Sequence, residues 1–136
     1  MCGTNCEYKV LTTTDVIYIH EKIISRYGGG SGLRDRHLLE SALGRIETGY
    51  YDSVFSVGAA LFEGIYLNHA FVDGNKRTAF CVLHVFLQLN NYTLTMPIDE
   101  LYYYLDEKWP TCHNDLQSMV VFLLGRHTLP CKKDTL

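Results

Sequence analysis

"HAFVDGNKRTAF", His69 to Phe80, decides how this chain is read. It sets a carboxylate, a glycine, an amide and two cations in a row, and the apolar run "AFCVLHVFLQL" begins before it ends. The run has the length and composition of a buried helix, so Lys76 and Arg77 fall in that helix's first turn. A helix N-terminus already carries partial positive charge, and each exposed cation there costs roughly 0.3–1 kcal/mol. A ligand that offsets this cost has to be anionic.

The segment upstream is also apolar. "SVFSVGAALFEGIYLNHA" is apolar on nearly every side, with Gly58, Ala59, Ala60 and Gly64 as small residues. Such a pattern predicts a helix buried all round, a central post that ends near Asn68 and His69. The motif therefore crosses between two buried helices. Gly74 lets the backbone take a positive φ or approach a ligand closely. The N–H groups of the second helix's first turn have no intrahelical acceptor and point into the loop, which makes a natural anion site.

Further out, "TTTDVIYIHEKIISRYG" spaces Val16, Ile19, Ile23 and Ile24 as a helix does, with Thr or Asp as start and Gly28 as stop. "GGGSG", Gly28 to Gly32, lacks the Gly-Lys-Ser/Thr of a phosphate loop and reads as a connection. "RDRHLLESALGRI", "PIDELYYYLDEKW" and "NDLQSMVVFLLGRH" read as further helices, the last with Asn114 and Gln117 in a capping-box pattern. "YTLTM" alternates but is short, and "TLPCKKDTL" reads as a frayed tail. The expected class is all-α: a tail over 1–11, one compact helical domain over 12–127 and a tail over 128–136.

The 136 residues suit one domain, with 47% hydrophobic and 20% charged residues as in soluble globular proteins. A net charge of −3 argues against nucleic-acid binding by bulk electrostatics. No apolar run reaches the ~18–20 residues of a membrane span. "MCGTNCEYKV" does not read as a secretory signal, so a cytoplasmic location is expected. Five cysteines, an odd number, argue against a disulfide framework. Cys81 falls in an apolar helix and reads as a small core residue. Cys2, Cys6, Cys112 and His113 do not have zinc-site spacing.

Read together, the motif's residues suggest a chemistry. Lys76 and Arg77 add full charges to the helix end, which suits a phosphate chain. Asp73 would repel phosphate unless a divalent cation lay between them, and Mg²⁺ is commonly held by one or two carboxylates plus phosphate oxygens. His69 is suited to take a proton near neutral pH. The combination points to transfer of a phosphorus group to a hydroxyl. Taken singly, each residue also has a structural reading: His69 as a helix end, Asp73 or Asn75 as a cap, Phe71 as a core anchor, Lys76 and Arg77 as solvated charges.

The pattern H-x-F-x-D-G-N-K-R, His69 to Arg77, resembles the signature of the Fic/Doc proteins, in the variant of the death-on-curing (Doc) toxins. "SRYGG" (Ser25 to Gly29), "GLRD" (Gly32 to Asp35) and "LLESALGR" (Leu38 to Arg45) extend the resemblance, which spans residues 12–127. It implies a compact helical bundle with the motif loop between two central helices, and ATP as donor with Mg²⁺. Fic members usually transfer AMP to a protein hydroxyl. Doc-type toxins instead phosphorylate a threonine of translation elongation factor Tu, block translation and are restrained by an antitoxin. By position, His69 would be the general base and Asp73 the Mg²⁺ ligand. Gly74, Asn75, Lys76 and Arg77 would hold phosphates, with Lys76 and Arg77 also acting on the transferring group. Phe71 would anchor the loop.

Two departures from the common Fic pattern favour the kinase reading. Lys76 replaces a glycine, and Phe80 stands where a second arginine grips the terminal phosphate during AMP transfer. The autoinhibitory Ser/Thr-x-x-x-Glu pattern is also missing, since Ala59 takes the hydroxyl position in "AALFEG". The alternatives are an AMP or other nucleotidyl transferase, and a nonenzymatic binding module with the same fold.

Overall fold

The computed structural model describes residues 8–48, 51, 53–97, 99–101, 103–104 and 116–130. The fold is all-α, as the sequence predicts, with one small antiparallel ladder. Helix α1 spans Thr13–Tyr27, α2 Arg36–Thr48, α3 Val54–Asn68, α4 Asn75–Leu89 and α5 Leu116–His127. Residues 99–101 and 103–104 are helical too. Strands β1 (Tyr92–Leu94) and β2 (Thr128–Pro130) pair with Thr93 opposite Leu129.

Helix boundaries follow from local chemistry. Thr12 caps α1 in a reciprocal box: its hydroxyl accepts from the Asp15 N–H while the Asp15 carboxylate accepts from the Thr12 N–H. Gly28, at φ 88°, ends that helix. Ser53 caps α3 through the Ser56 N–H.

Helix α3 is the central post. Val57, Ala59, Leu61, Phe62 and Ile65 are at most 2% exposed, and only the narrow stripe of Ser56, Ala60, Glu63 and Leu67 reaches toward solvent. It packs antiparallel to α4: Gly58 lies against Leu83 and Phe86 near one end, and Phe62 meets Phe80 edge-on further along. Its other side meets α2. There Gly64 lies so close to Ala42 that a Cβ would come within 2.8 Å of the alanine methyl. Gln117 of α5 donates to Glu63.

The two segments read from sequence as tails contain ordered structure. Residues 128–130 form β2, because β1 offers a partner edge 34 or more residues earlier in the chain. Leu11 is a buried core residue, and Asn90 holds the Lys9 backbone at both N–H and C=O. Such long-range pairings leave no local periodicity in a three-residue strand. The candidate cap Asn114 and the set Cys2, Cys6, Cys112 and His113 lie outside the described residues. Among the described residues no helix is long and apolar enough to cross a membrane.

The α2–α3 contact gives a paired test. Gly64→Ala forces two methyl groups together, which outweighs the gain in helix propensity, so stability falls by about 1–2 kcal/mol net. Gly44→Ala, on α2 with nothing within 4 Å of the new methyl, raises it by ~0.5–1 kcal/mol. Urea unfolding midpoints that move in the same direction for both would refute this packing account.

Candidate functional site

His69 caps α3 in the left-handed conformation, φ 55° and ψ 48°, which turns the chain sharply out of the helix. Its side of the loop is exposed, while its carbonyl is held by Arg34: Nε donates at 2.9 Å and Nη2 at 2.6 Å. The next carbonyl, Ala70, accepts from the backbone N–H groups of Arg34 (2.7 Å) and Asp35 (3.0 Å). Leu33 bridges Phe71 in antiparallel fashion, and the Val72 N–H donates to Gly32. Gly32 to Asp35 thus form a strap along the motif loop. The strap is itself fixed, because the Asp35 carboxylate accepts from the His37 and Leu38 N–H groups at the start of α2.

Phe71 is 1% exposed and stacks face to face on His20 of α1, with centroids 3.8 Å apart. His20 is equally buried, and its Nε2 lies 2.8 Å from the Asp73 carbonyl. A carbonyl can only accept, so that nitrogen carries the proton. Asn75 closes the loop from the other side. Its Oδ1 accepts from the Phe71 N–H and its Nδ2 donates to the Phe71 carbonyl, both at 3.0 Å and buried. The amide of Asn75 is therefore committed to the loop backbone.

Gly74 takes φ 76° and precedes α4 without a side-chain cap. The Asp73 carboxylate is exposed, with Oδ1 accepting from the Gly74 N–H (3.0 Å) and Oδ2 from the Gly30 N–H (3.2 Å). The glycine loop reads from sequence as a mere connection, yet it packs on the motif. A Cβ at Gly29 would come within 2.9 Å of Asp73 Oδ2, and one at Gly30 within 2.9 Å of Val72. Lys76 lies over the Tyr66 ring at 5.6 Å and Arg77 over the Tyr27 ring at 4.1 Å.

His69, Val72, Asp73, Gly74, Asn75, Lys76 and Arg77 line one hollow of about 360 Å³. Six of the seven residues singled out from sequence converge there; Phe71 lies beneath it. A second hollow of about 510 Å³, lined by Tyr27, Arg77, Asp99 and Tyr103, shares Arg77 with the first. Among the described residues no three His, Cys, Asp or Glu side chains cluster as a self-sufficient metal site. Asp73 retains lone pairs beyond its two backbone bonds and suits a hard cation shared with phosphate oxygens. Cys81 is half-buried; burial pushes its thiol up, against the opposing pull of Arg77, as fits an inert packing residue.

His20, Arg34, Gly29, Gly30, Tyr27 and Tyr66 complete this site and were not assigned roles from sequence. His20 had a signal, since Val16, His20 and Ile23 fall on one face of α1 and put an imidazole into an otherwise apolar stripe.

The buried amide clamp is open to a direct test. Asn75→Leu keeps the volume but leaves the Phe71 N–H and C=O buried and unpaired, at roughly 1–3 kcal/mol for each group. Denaturant unfolding should show a loss in that range or above, and the Phe71 amide should exchange faster. Wild-type stability in this variant would mean that the clamp does not hold the loop.

Comparison with known proteins places the chain in a family. A family model described as "Fic/DOC family" matches residues 10–87. A protein named Toxin Doc, from Mycolicibacterium smegmatis, is 38% identical over 78 residues, 54% of this chain and 60% of its own length. Protein kinase doc of Escherichia phage P1 is 33% identical over 84 residues, 59% of this chain and 67% of its own. The match thus spans about three fifths of the first relative and two thirds of the second. The family model takes in α1, the strap, α2, α3, the motif and nearly all of α4, and on that ground the chain belongs to the Fic/Doc family.

Proposed function

We propose that this protein transfers the γ-phosphoryl group of ATP to a hydroxyl of a target protein. By the family resemblance, the target is a threonine of translation elongation factor Tu in the cytoplasm, and the effect is a block of translation. The observation that carries the reading is the convergence of His69, Asp73, Lys76 and Arg77 on one hollow at the head of α4. The name of the phage relative, a protein kinase, supports the reaction, and the name of the mycobacterial one, a toxin, supports the role. A toxin of this kind needs restraint, which an antitoxin partner would supply.

In this mechanism the phosphate chain lies against the N–H groups at the start of α4, with Lys76 and Arg77 neutralising its charge. The residue placed to hold Mg²⁺ is Asp73, and the ion when bound would draw charge from the phosphate oxygens. His69 takes the proton of the acceptor hydroxyl as that oxygen bonds to the γ-phosphorus. The bond from the γ-phosphorus to the bridging oxygen breaks, and ADP leaves. Tyr27 and Tyr103 line the adjoining hollow with Arg77 and would supply aromatic surface for a nucleoside there.

Phe80 bears on the choice of group transferred. It is 1% exposed and packs edge-on against Phe62 and Tyr66. An arginine there would be a buried charge, so the position that grips the terminal phosphate in AMP transfer is here part of the core. That favours phosphoryl over AMP transfer.

Incubation of the protein with host lysate and ATP labelled at the γ or the α phosphate tests the proposal. The γ label should enter a protein band, and His69→Ala should lower its rate by ~10²–10⁴-fold with the helical spectrum unchanged. Incorporation of the α label alone would replace this reading with nucleotidyl transfer. No label from either would leave a binding module.

The carboxylate can be tested by calorimetry. Asp73→Asn should weaken ATP binding when Mg²⁺ is present and change it little when the metal is chelated. Equal losses in both conditions would make Asp73 a structural group instead.

A further inference from the structure

We infer that Arg34 is a positioning residue for His69: by holding the His69 carbonyl, it sets the direction in which the imidazole meets the acceptor hydroxyl. This rests on the proposed role of His69 as the base. Arg34 is not among the residues lining the hollow, and its Nε and Nη2 donate to the His69 backbone carbonyl, so the role inferred for it acts through His69.

The geometry gives the reason. His69 sits in the left-handed region, which disfavours side chains with a Cβ by roughly 1–2 kcal/mol. Helical turns precede it and the Phe71 lock follows, so the peptide between His69 and Ala70 is the joint where relaxation would occur. Relaxation there by rotation about the His69 N–Cα bond swings its Cβ and its carbonyl carbon together, so a held carbonyl restrains the side chain. Both nitrogens of the guanidinium edge, Nε and Nη2, meet the His69 oxygen, and the planar fork resists rotation of the carbonyl in a way that a single donor does not. The fork has a fixed base. The Arg34 and Asp35 N–H groups hold the Ala70 carbonyl, and the Asp35 carboxylate caps α2. Two successive peptides, 69–70 and 70–71, are thus gripped from the strap, each by its own carbonyl. A misplacement of about 1 Å at a reacting group costs on the order of 10²-fold in rate.

The test uses the full chain with Arg34→Ala, Arg34→Gln and Arg34→Lys, each checked for helical content and melting point. Transfer of the γ label should fall in kcat by about 10²-fold for Ala and Gln and less for Lys, which supplies one donor at a time. Affinity for ATP with Mg²⁺ should stay at the wild-type value. Millimolar guanidinium should restore part of the lost rate to Arg34→Ala alone, and the imidazole NMR signals of His69 should broaden or shift in that variant. A purely structural clamp would lower melting point, ATP affinity and kcat together, with no rescue, and that pattern would overturn the inference. So would an unchanged kcat, or a lowered kcat with the His69 signals at their wild-type positions. If Arg34→Ala fails to fold, the Lys and Gln variants carry the same kcat-against-affinity comparison. If the wild type itself transfers no label, the base reading falls, and the NMR signals alone decide whether Arg34 orders His69.

Discussion

An anion site made of backbone works only if the N–H groups face the ligand and the carbonyl oxygens face away. A loop cannot arrange this alone, because each peptide carries both groups in opposite directions and a buried carbonyl without a donor is costly. In this protein five of the loop's carbonyls are drawn back by three surrounding parts of the structure. His69 O is taken by Arg34, Ala70 O by the strap backbone, Phe71 O by Asn75, Asp73 O by His20 and Gly74 O by the Thr78 N–H of α4. The donors come from α1, the strap and α4, and the apolar post α3 delivers the loop to them. The loop's conformation, and with it the anion site proposed for it, is therefore a property of the packed bundle, not of the nine-residue motif.

This explains which parts were legible in the sequence. The helices were, because their signals are local: Val16 and Ile23 recur at helical spacing, Thr12 and Asp15 form the box that starts α1, and Gly28 stops it. The buried post was legible from the all-round apolar character of Val54 to Asn68. The convergence of His69, Asp73, Lys76 and Arg77 followed from their being consecutive around one helix start. His20 and Arg34 were not assigned: the apolar stripe of α1 marks His20 as buried, but nothing local names its partner, the Asp73 carbonyl 53 residues away. Strand β2 was missed for the same reason: its partner is distant and three residues carry no period.

The glycine loop shows how a bland segment acquires a role through packing. Gly28 to Gly32 lacks any phosphate-loop pattern, yet Gly29, at φ 117°, brings its backbone against the Asp73 carboxylate closer than a side chain would permit. The Gly30 N–H then helps to orient that carboxylate from the side opposite Gly74. Glycine is needed there because the carboxylate must be approached by a donor without being covered, and a side chain on either residue would collide with Asp73 or Val72.

The two cations at the head of α4 raise the remaining question of cost. Lys76 and Arg77 are adjacent, so their side chains leave the helix about 100° apart and reach different neighbours. Lys76 crosses the face of Tyr66, itself buried against Phe62 and Phe80, and Arg77 crosses the face of Tyr27. A cation over an aromatic face gains ~0.5–1 kcal/mol at an exposed site, which is close to what a cation at a helix N-terminus costs. The tyrosines thus offset much of the penalty before any anion arrives. The site does not depend on a ligand for its stability, and the charge it presents is held ready on two rings. Phe80 completes the same arrangement from beneath. By filling the next turn with a buried ring, it confines the helix-borne cations among the described residues of that end to a single turn.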